Sequence, residues 1–201
     1  MDFDTIIEYV FASEGGYVDH PDDPGGATNM GITLGTLSTW RGRKVTKAEV
    51  KNLTKSEAKE IYKKLYWLPV GGDALPAGLN YAVLDYAVHS GPDRAVRALQ
   101  KLVGATVDGI VGPDTLKKVS AASDLRTVVN RYIDDRLTFL KGRKTWNTFG
   151  KGWKARIDKV RKLSLEGVET KVEVEKKSFN LATLIPVLIT VLVAVFGSFK
   201  K

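Results

Sequence analysis

The sequence predicts a mainly α-helical globular body with a glycine-rich loop near its start, followed by a charged linker and one C-terminal transmembrane helix. Helix-capping patterns recur through the middle of the chain. The segment from Leu125 to Leu140 has apolar residues at helical spacing without a break. The run from Leu181 to Phe199 carries no formal charge over 19 residues. With 201 residues, of which 43% are hydrophobic, the chain is long enough for one compact domain with appendages.

The opening helix is predicted to begin near Phe3 and to end at Glu14. Its apolar residues recur on one face, and the two glycines that follow Glu14 stop it. From Glu14 to Thr33 the chain has five glycines and two prolines, a composition typical of a tightly turned loop. Within that loop we expect a short extended piece from Met30 to Leu34.

The middle of the body is predicted to be a series of short capped helices. Thr46 and Thr54 each stand three residues before a glutamate, which makes a Thr-x-x-Glu capping box. Three prolines stand where a first helical residue would: Pro76, Pro92 and Pro113. The segment from Leu79 to Val88 is apolar nearly all round, so we expect a helix that is enclosed by others.

The composition excludes several classes of protein and favours an anionic partner. The chain has no cysteine, which excludes a disulfide scaffold, thiolate metal sites and a cysteine nucleophile. Its two histidines, His20 and His89, form no H-E-x-x-H pattern, so we expect no metal and no cofactor. The net charge of the chain is +8. The segment from Lys141 to Lys162 has nine basic residues and one acid, so its own charge equals the net charge of the whole chain. Aromatic residues lie among these charges, so the segment is either a solvated basic face or a surface for single-stranded nucleic acid. We expect the solvated face and no nucleic-acid partner.

The two ends of the chain differ in what they predict about membranes. The N-terminus carries acids where a secretion signal needs positive charge, so no cleavable signal peptide is expected. The run from Leu181 to Phe199 would span about 28 Å as a helix, close to the hydrocarbon thickness of a bilayer; a buried core helix is the alternative. Residues 166–180 before it are charged and are predicted to be a linker. We therefore expect a body that is anchored in a membrane by residues 181–199.

The candidate chemistry lies in the loop that follows the opening helix. Glu14 is a carboxyl at a helix end beside apolar side chains, where it can retain its proton near neutral pH, as a general acid must. Asp23 and Thr28 follow in a loop that is able to fold back over it. A carboxylic acid, with a second group that holds a water or stabilises a glycosyl cation, is the minimal equipment for glycoside hydrolysis. From the residues alone, a helix C-cap followed by a structural turn is an equal alternative.

A second candidate group lies on the enclosed helix. Tyr81, Asp85 and His89 fall at i, i+4 and i+8 and so share one side of it. A carboxylate on a buried helix is costly unless it is paired or faces a cleft. Asp85 is therefore predicted either to be satisfied within the core or to line a cleft.

Two stretches of the sequence resemble a known family. The run EGGYVDHPDDPGGATNMGIT, which begins at Glu14, is similar to the signature of glycoside hydrolase family 108, the lysozyme-like N-acetylmuramidases of phages, prophages and related secretion systems. The later stretches YAVLDYAVHSGPDRAVRALQKLVGATVDGIVGPDTL and FGKGW resemble the helical region usually paired with that signature, called a peptidoglycan-binding domain. Together they cover Met1 to about Leu165. The family commonly has Asn at the position of His89.

The resemblance implies a lysozyme-like helical bundle with a glycine-rich catalytic loop. Residues 1–90 would form the catalytic region and residues 91–165 a peptidoglycan-binding region packed on it. The family's catalytic glutamate matches Glu14, and the Asp23 and Thr28 positions resemble the Glu, Asp, Thr order of phage lysozymes, although Asp22 is an alternative to Asp23. Four residues are implied as weaker candidates for contacts with the sugar: Asn29, Tyr81, Asp85 and His89.

The implied activity is hydrolysis of peptidoglycan at the β-1,4 bond between N-acetylmuramic acid and N-acetylglucosamine. Protonated Glu14 would donate to the glycosidic oxygen, and ionised Asp23 would orient water or stabilise the oxocarbenium-like transition state. The expected partners are peptidoglycan glycan strands and the inner membrane, with the enzyme acting on the periplasmic wall in phage-type lysis or wall remodelling. The alternatives are a prophage-derived secretion muramidase, a non-catalytic membrane-anchored peptidoglycan-binding protein, a pore-forming membrane protein and a nucleic-acid binder.

Overall fold

The computed structural model describes the backbone of residues 1–19 and 26–197, and the side chains of residues 1–19, 26–170 and 173. This part of the chain is mainly helical, as the sequence predicts. Its elements, in chain order, are α1 (Phe3–Glu14), β1 (Thr28–Asn29), β2 (Ile32–Thr33), α2 (Leu34–Arg41), α3 (Lys47–Lys51), α4 (Lys55–Tyr62), a π-helical turn (Lys63–Trp67), α5 (Leu79–Ser90), α6 (Pro92–Val103), α7 (Pro113–Ser120), α8 (Leu125–Lys141) and α9 (Trp146–Gly197).

Helix α5 is the centre of the body. Every residue from Leu79 to Ala87 is buried, because α6, α8, α9 and the π-helical turn all pack around the helix. The same hydrophobic core contains Ile6 and Val10 of α1 as well as Val160 of α9. Burying each such side chain contributes about 1.5–3 kcal/mol. The structure thus confirms the predicted enclosed helix. The hydrophobic core around it contains residues of both predicted regions, 1–90 and 91–165.

Most of the predicted capping signals form in the structure. Pro92 and Pro113 do begin α6 and α7, and Thr46 makes a complete capping box with Glu49. Thr54 accepts a hydrogen bond from the Glu57 backbone N–H, but the Glu57 carboxylate instead pairs with an arginine of α2.

Pro76 is the exception, because it begins a turn and not a helix. Helix α5 begins at Leu79, after Gly78 with φ +84°. A Cβ at position 78 would lie 2.2 Å from the Ser164 carbonyl oxygen of α9. The close approach of α9 and the left-handed backbone therefore delay the helix.

The extended piece expected from Met30 to Leu34 is shorter in the structure, where Ile32 and Thr33 form one strand of a two-stranded antiparallel hairpin and Leu34 begins α2. Thr28 pairs with Thr33, and Asn29 pairs with Ile32. Met30 and Gly31 make the turn, with φ of +49° and +75°. A two-residue turn with both φ values positive matches the right-handed twist of the strands.

Helix α9 continues beyond the body. Residues 166–180, predicted to be a charged linker, have helical backbone within α9. This stretch has no proline, and its only glycine is Gly167, so the lysines, glutamates and valines continue the helix. The predicted transmembrane segment, residues 181–199, lies outside the described side chains. Among the residues that the structure describes, no helix is sufficiently long and apolar to cross a membrane.

Candidate active site

Glu14 is the last residue of α1, and its carboxyl faces the interior of the site. The other side of α1 is anchored in the core by Ile6, Ile7 and Val10. Gly15 ends the helix with φ +78°, and its N–H donates to the Phe11 carbonyl. The Glu14 side chain is only 20% exposed. The helix end therefore fixes the backbone of Glu14 and leaves its carboxyl at the margin of the core.

The hairpin turn lies directly on this carboxyl. A Cβ at Gly31 would lie 2.9 Å from Glu14 Cγ and 3.0 Å from Glu14 Oε2. The same Cβ would lie 2.3 Å from the Tyr62 hydroxyl oxygen, which donates a hydrogen bond of 3.0 Å to the Met30 carbonyl. Burial raises the pKa of Tyr62, and the charge of Glu14 adds to that rise, so the phenol stays protonated and keeps donating. Position 31 thus has room only for glycine.

Arg156 of α9 closes the opposite side of the carboxyl. Its Nη1 lies 2.7 Å from Glu14 Oε1, and its side chain is 15% exposed. Oε1 is buried and accepts no well-aligned hydrogen bond from the residues that the structure describes, so charge and proximity hold its pair with Arg156. Burial opposes the charge of the guanidinium, but Asp85 and Glu14 outweigh that effect and raise the pKa of Arg156.

Asp85 lies behind Arg156, at 0% exposure. Arg156 donates hydrogen bonds to Asp85 from Nε, at 3.0 and 3.1 Å from the two carboxylate oxygens, and from Nη2, at 2.8 Å from Oδ1. Arg136 Nη1 lies 2.6 Å from Oδ2. Burial alone would raise the pKa of Asp85, but the two arginines outweigh it and hold that pKa below its usual value. Glu14, Arg156, Asp85 and Arg136 form a chain of alternating charges that sums to zero.

The neighbours of Asp85 on α5 differ in their access to solvent. Tyr81 is 0% exposed, packs on the ring of Tyr9 and has no partner for its hydroxyl among the described residues. His89 is half-buried, with its ring edge-on to Trp153 at a centroid distance of 5.5 Å. Burial, together with the charges of Arg136 and Arg156, lowers the pKa of His89 to about 4. His89 is therefore uncharged at neutral pH and can act as a hydrogen-bonding group.

The remaining predicted residues lie on or near the hairpin. Thr28 is partly buried, and its backbone pairs with Val18 through two hydrogen bonds of 2.8 Å. Asn29 Nδ2 donates to the carbonyls of Val50 and Lys51, at 3.1 and 3.0 Å, so both of its donated bonds hold the hairpin against α3. Asp23 and its alternative Asp22 lie outside the described residues. The predicted contacts of Asn29, Tyr81, Asp85 and His89 with a sugar stay predictions.

The sequence marks Glu14 as a candidate, but it does not identify the groups that enclose the Glu14 carboxyl. Gly31 had a local signal, since a glycine after Asn-Met suggests a left-handed turn. Arg156 was one of nine basic residues in a run, and nothing in the run distinguishes it from the others. Only the packing of α9 against α5 places it between Asp85 and Glu14.

Two of the cavities in the described part of the chain lie at the ends of α1. A depression of about 460 Å³ at the end of the helix is lined by Ser13, Arg156 and Trp153. The largest cavity that the described residues line, about 1060 Å³, includes Asp2 and Trp67 at the start of α1, about 18 Å away along a helix of this length. Glu14 does not itself line the smaller depression, but Arg156, which pairs with its carboxyl, does.

A mainly helical body whose first helix ends in a carboxyl, enclosed by a glycine turn and an arginine, fits the lysozyme-like class of glycoside hydrolases. The family model Glycosyl hydrolase 108 matches residues 7–91. The chain is also similar to SagA of Brucella abortus, a solved structure with 55% sequence identity and a TM-score of 0.76; the match covers 83% of this chain and 95% of that one. No curated protein matches the chain.

The chain therefore belongs to glycosyl hydrolase family 108, as its signature predicts. It is a glycoside hydrolase, and the family implies a peptidoglycan hydrolase of the muramidase type.

Proposed function

We propose that the protein cleaves the β-1,4 bond between N-acetylmuramic acid and N-acetylglucosamine in peptidoglycan, with Glu14 as the general acid. The observation that carries this proposal is the enclosure of the Glu14 carboxyl between Gly31 and Arg156, the second of which also lines an open depression. A carboxyl held in place by its surroundings is what proton donation to a glycosidic oxygen requires. The family match to residues 7–91 includes Glu14.

The ion pair sets a condition on the mechanism. Pairing with Arg156 requires an ionised Glu14, whereas a general acid must carry a proton. The proposal therefore requires that the ion pair between Glu14 and Arg156 breaks when the glycan binds, while Arg156 stays paired with Asp85. Arg156 is able to do so, because Nε and Nη2 grip Asp85 while only Nη1 reaches Glu14.

The second half of the reaction is assigned to Asp23 and Thr28. We propose that ionised Asp23 orients the attacking water or stabilises the oxocarbenium-like transition state, while Thr28 positions that water. Carboxyl groups about 5–5.5 Å apart give retention, and groups about 6.5–9.5 Å apart leave room for water and give inversion. The anomer released from peptidoglycan distinguishes the two outcomes.

The test is the release of reducing ends from purified peptidoglycan by the Glu14→Gln variant. Glutamine keeps the size of the side chain but has no proton to donate, so we expect the rate to fall by about 10²–10⁴-fold. Glu60→Gln is the matched control, since Glu60 is an exposed glutamate of α4. An unchanged rate in Glu14→Gln would overturn the assignment. If the wild-type protein binds peptidoglycan but releases no reducing ends, it is a peptidoglycan-binding protein and not a hydrolase.

We further propose that residues 181–199 anchor the enzyme in the inner membrane, on the side that faces the wall. The support is the sequence itself, with 19 residues that carry no formal charge. A role in phage-type lysis or wall remodelling follows from that location. The experiment compares the full chain with a chain that ends at residue 180. Only the full chain should sediment with lipid vesicles, and both should hydrolyse purified peptidoglycan at equal rates.

A further inference from the structure

The basic residues of the segment 141–162 do not all serve the same purpose. Most of those beyond residue 152 are paired within the fold. Lys154 pairs with Asp158, Arg161 with Asp134, and Lys162 lies 4.0 Å from Glu166. Arg156 is shared between Asp85 and Glu14.

Lys159 differs from these neighbours. Its Nζ lies 3.5 Å from Ser13 Oγ, and no carboxylate lies within ion-pair distance of it among the residues whose side chains the structure describes. Ser13 Oγ donates to the Tyr9 carbonyl at 2.9 Å, so its position on α1 is fixed. The ammonium group of Lys159, with no described carboxylate as its partner, thus contacts Ser13, the residue that immediately precedes Glu14.

Lys159 and Ser13 line the depression of about 460 Å³ that Arg156 borders, a volume within the range of small-ligand sites, about 300–1,000 Å³. Trp153 and His89 line it as well, and no acid lines it among the residues that the structure describes. While Glu14 is paired, as in the structure, Glu14 and Asp85 balance the charges of Arg156 and Arg136, and His89 is uncharged. The unbalanced charge of the depression is therefore that of Lys159, beside an aromatic ring.

This depression suits a carboxylate that is carried on a short branch. In peptidoglycan each N-acetylmuramic acid bears a lactyl ether that ends in a carboxyl, which is free or is joined to a peptide with its own carboxylates. Because the bond to be cut joins N-acetylmuramic acid to N-acetylglucosamine, the branch leaves one of the two sugars that form this bond. Any such strand on Glu14 must therefore place an anionic branch close to the catalytic carboxyl.

We propose that Lys159 and Ser13 bind a carboxylate of the branch on N-acetylmuramic acid, with Trp153 covering its apolar part. The inference rests on the proposed muramidase function. Lys159 thereby contributes to substrate specificity, because it strengthens the binding of glycan strands that carry the anionic branch relative to strands of N-acetylglucosamine alone. It does not act on the reacting bond.

The experiment measures KM and kcat for Lys159→Gln on three substrates: peptide-bearing strands, strands stripped to the lactyl carboxyl, and chitin oligomers without a branch. We expect about a fivefold rise in KM on branch-bearing strands, the size of an exposed ion pair, with kcat unchanged. A rise in KM on peptide-bearing strands alone would place a peptide carboxylate in the depression, and a rise on stripped strands alone would place the free lactyl carboxylate there. An equal rise on both would mean that the depression takes whichever carboxylate ends the branch. Lys159→Arg should restore most of the affinity.

Lys151→Gln is the matched control, because Lys151 is an exposed lysine of the same helix that lines a separate depression beside Trp146. The inference is wrong if Lys151→Gln and Lys159→Gln raise KM equally, if Lys159→Gln has no effect, or if it lowers kcat on all substrates. Calorimetric titration with N-acetylmuramyl dipeptide gives a second measurement that does not need turnover. Failure of the wild-type enzyme to cut any strand would instead overturn the proposed function.

Discussion

Replacing Asp85 with asparagine tests the charge chain behind the active site. The substitution keeps the shape of the side chain but removes the one negative charge that Arg136 and Arg156 share. Arg136 is 1% exposed, so its guanidinium would stay buried without a counter-charge. Breaking a buried pair in this way costs about 3–5 kcal/mol. For a chain of this length we expect Tm to fall by about 6–20 °C.

The assay is urea unfolding followed by circular dichroism, with Asp134→Asn as the control. Asp134 also pairs with an arginine, Arg161, but its side chain is 63% exposed, so its loss should cost less than about 1 kcal/mol. The fold lowers the pKa of Asp85, so its ionised form stabilises the protein above the pKa of the unfolded carboxyl and less as the pH falls below about 4. Asp85→Asn should lack that part of the acid sensitivity. A loss under about 1 kcal/mol would refute the reasoning.

Three further predictions concern the surroundings of Glu14. Gly31→Ala would place a methyl group 2.3 Å from the Tyr62 hydroxyl at φ +75°, so we expect the free energy of unfolding to fall by roughly 1–3 kcal/mol and most activity to be lost. Gly16→Ala, whose Cβ would meet no described atom within 4 Å, should retain both stability and activity. His89→Asn should leave the pH–rate profile unchanged between about pH 5 and 8, because the pKa of His89 is about 4; a shifted profile would mean that His89 titrates in the reaction. The rate on peptidoglycan should fall as salt rises from ~0.01 M to ~0.15 M, because the Debye length shrinks from about 30 to about 8 Å and screens the attraction between the basic segment 141–162 and the carboxylates of peptidoglycan. A salt-independent rate would show that this segment does not attract the substrate.

The sequence predicted the elements whose causes are local. Pro92 and Pro113 begin their helices because the fixed φ of proline fits the first turn, whereas at Pro76 the packing of α9 against Gly78 overrides the same local signal. The end of α1 at Glu14 also follows from local chemistry, since Gly15 adopts a backbone angle that other residues avoid. The continuous α9 was not predicted, because a charged stretch without breakers is compatible with either a linker or an exposed helix.

The surroundings of Glu14 depend on contacts between distant parts of the chain. Asp85 had two predicted environments, and the choice between them required the positions of Arg136 on α8 and Arg156 on α9. Helical spacing places Arg136 on the same face as Ile133 and Leu140, but nothing in the sequence pairs either arginine with Asp85. The pattern on α5 indicated that a costly carboxylate needed a partner, but it did not identify the partner.

The family model covers residues 7–91, yet those residues do not contain the complete site. Both arginines that neutralise Asp85 come from outside this range, as does Lys159. A chain limited to residues 1–91 would leave Asp85 unpaired and would expose the faces of α5 that α6, α8 and α9 cover. We expect this fragment to be largely unfolded and inactive, and to regain activity only when it is mixed with residues 92–201. Circular dichroism and reducing-end release from peptidoglycan check this, and an independently folded fragment with the rate of the whole chain would show that the second region is dispensable for catalysis.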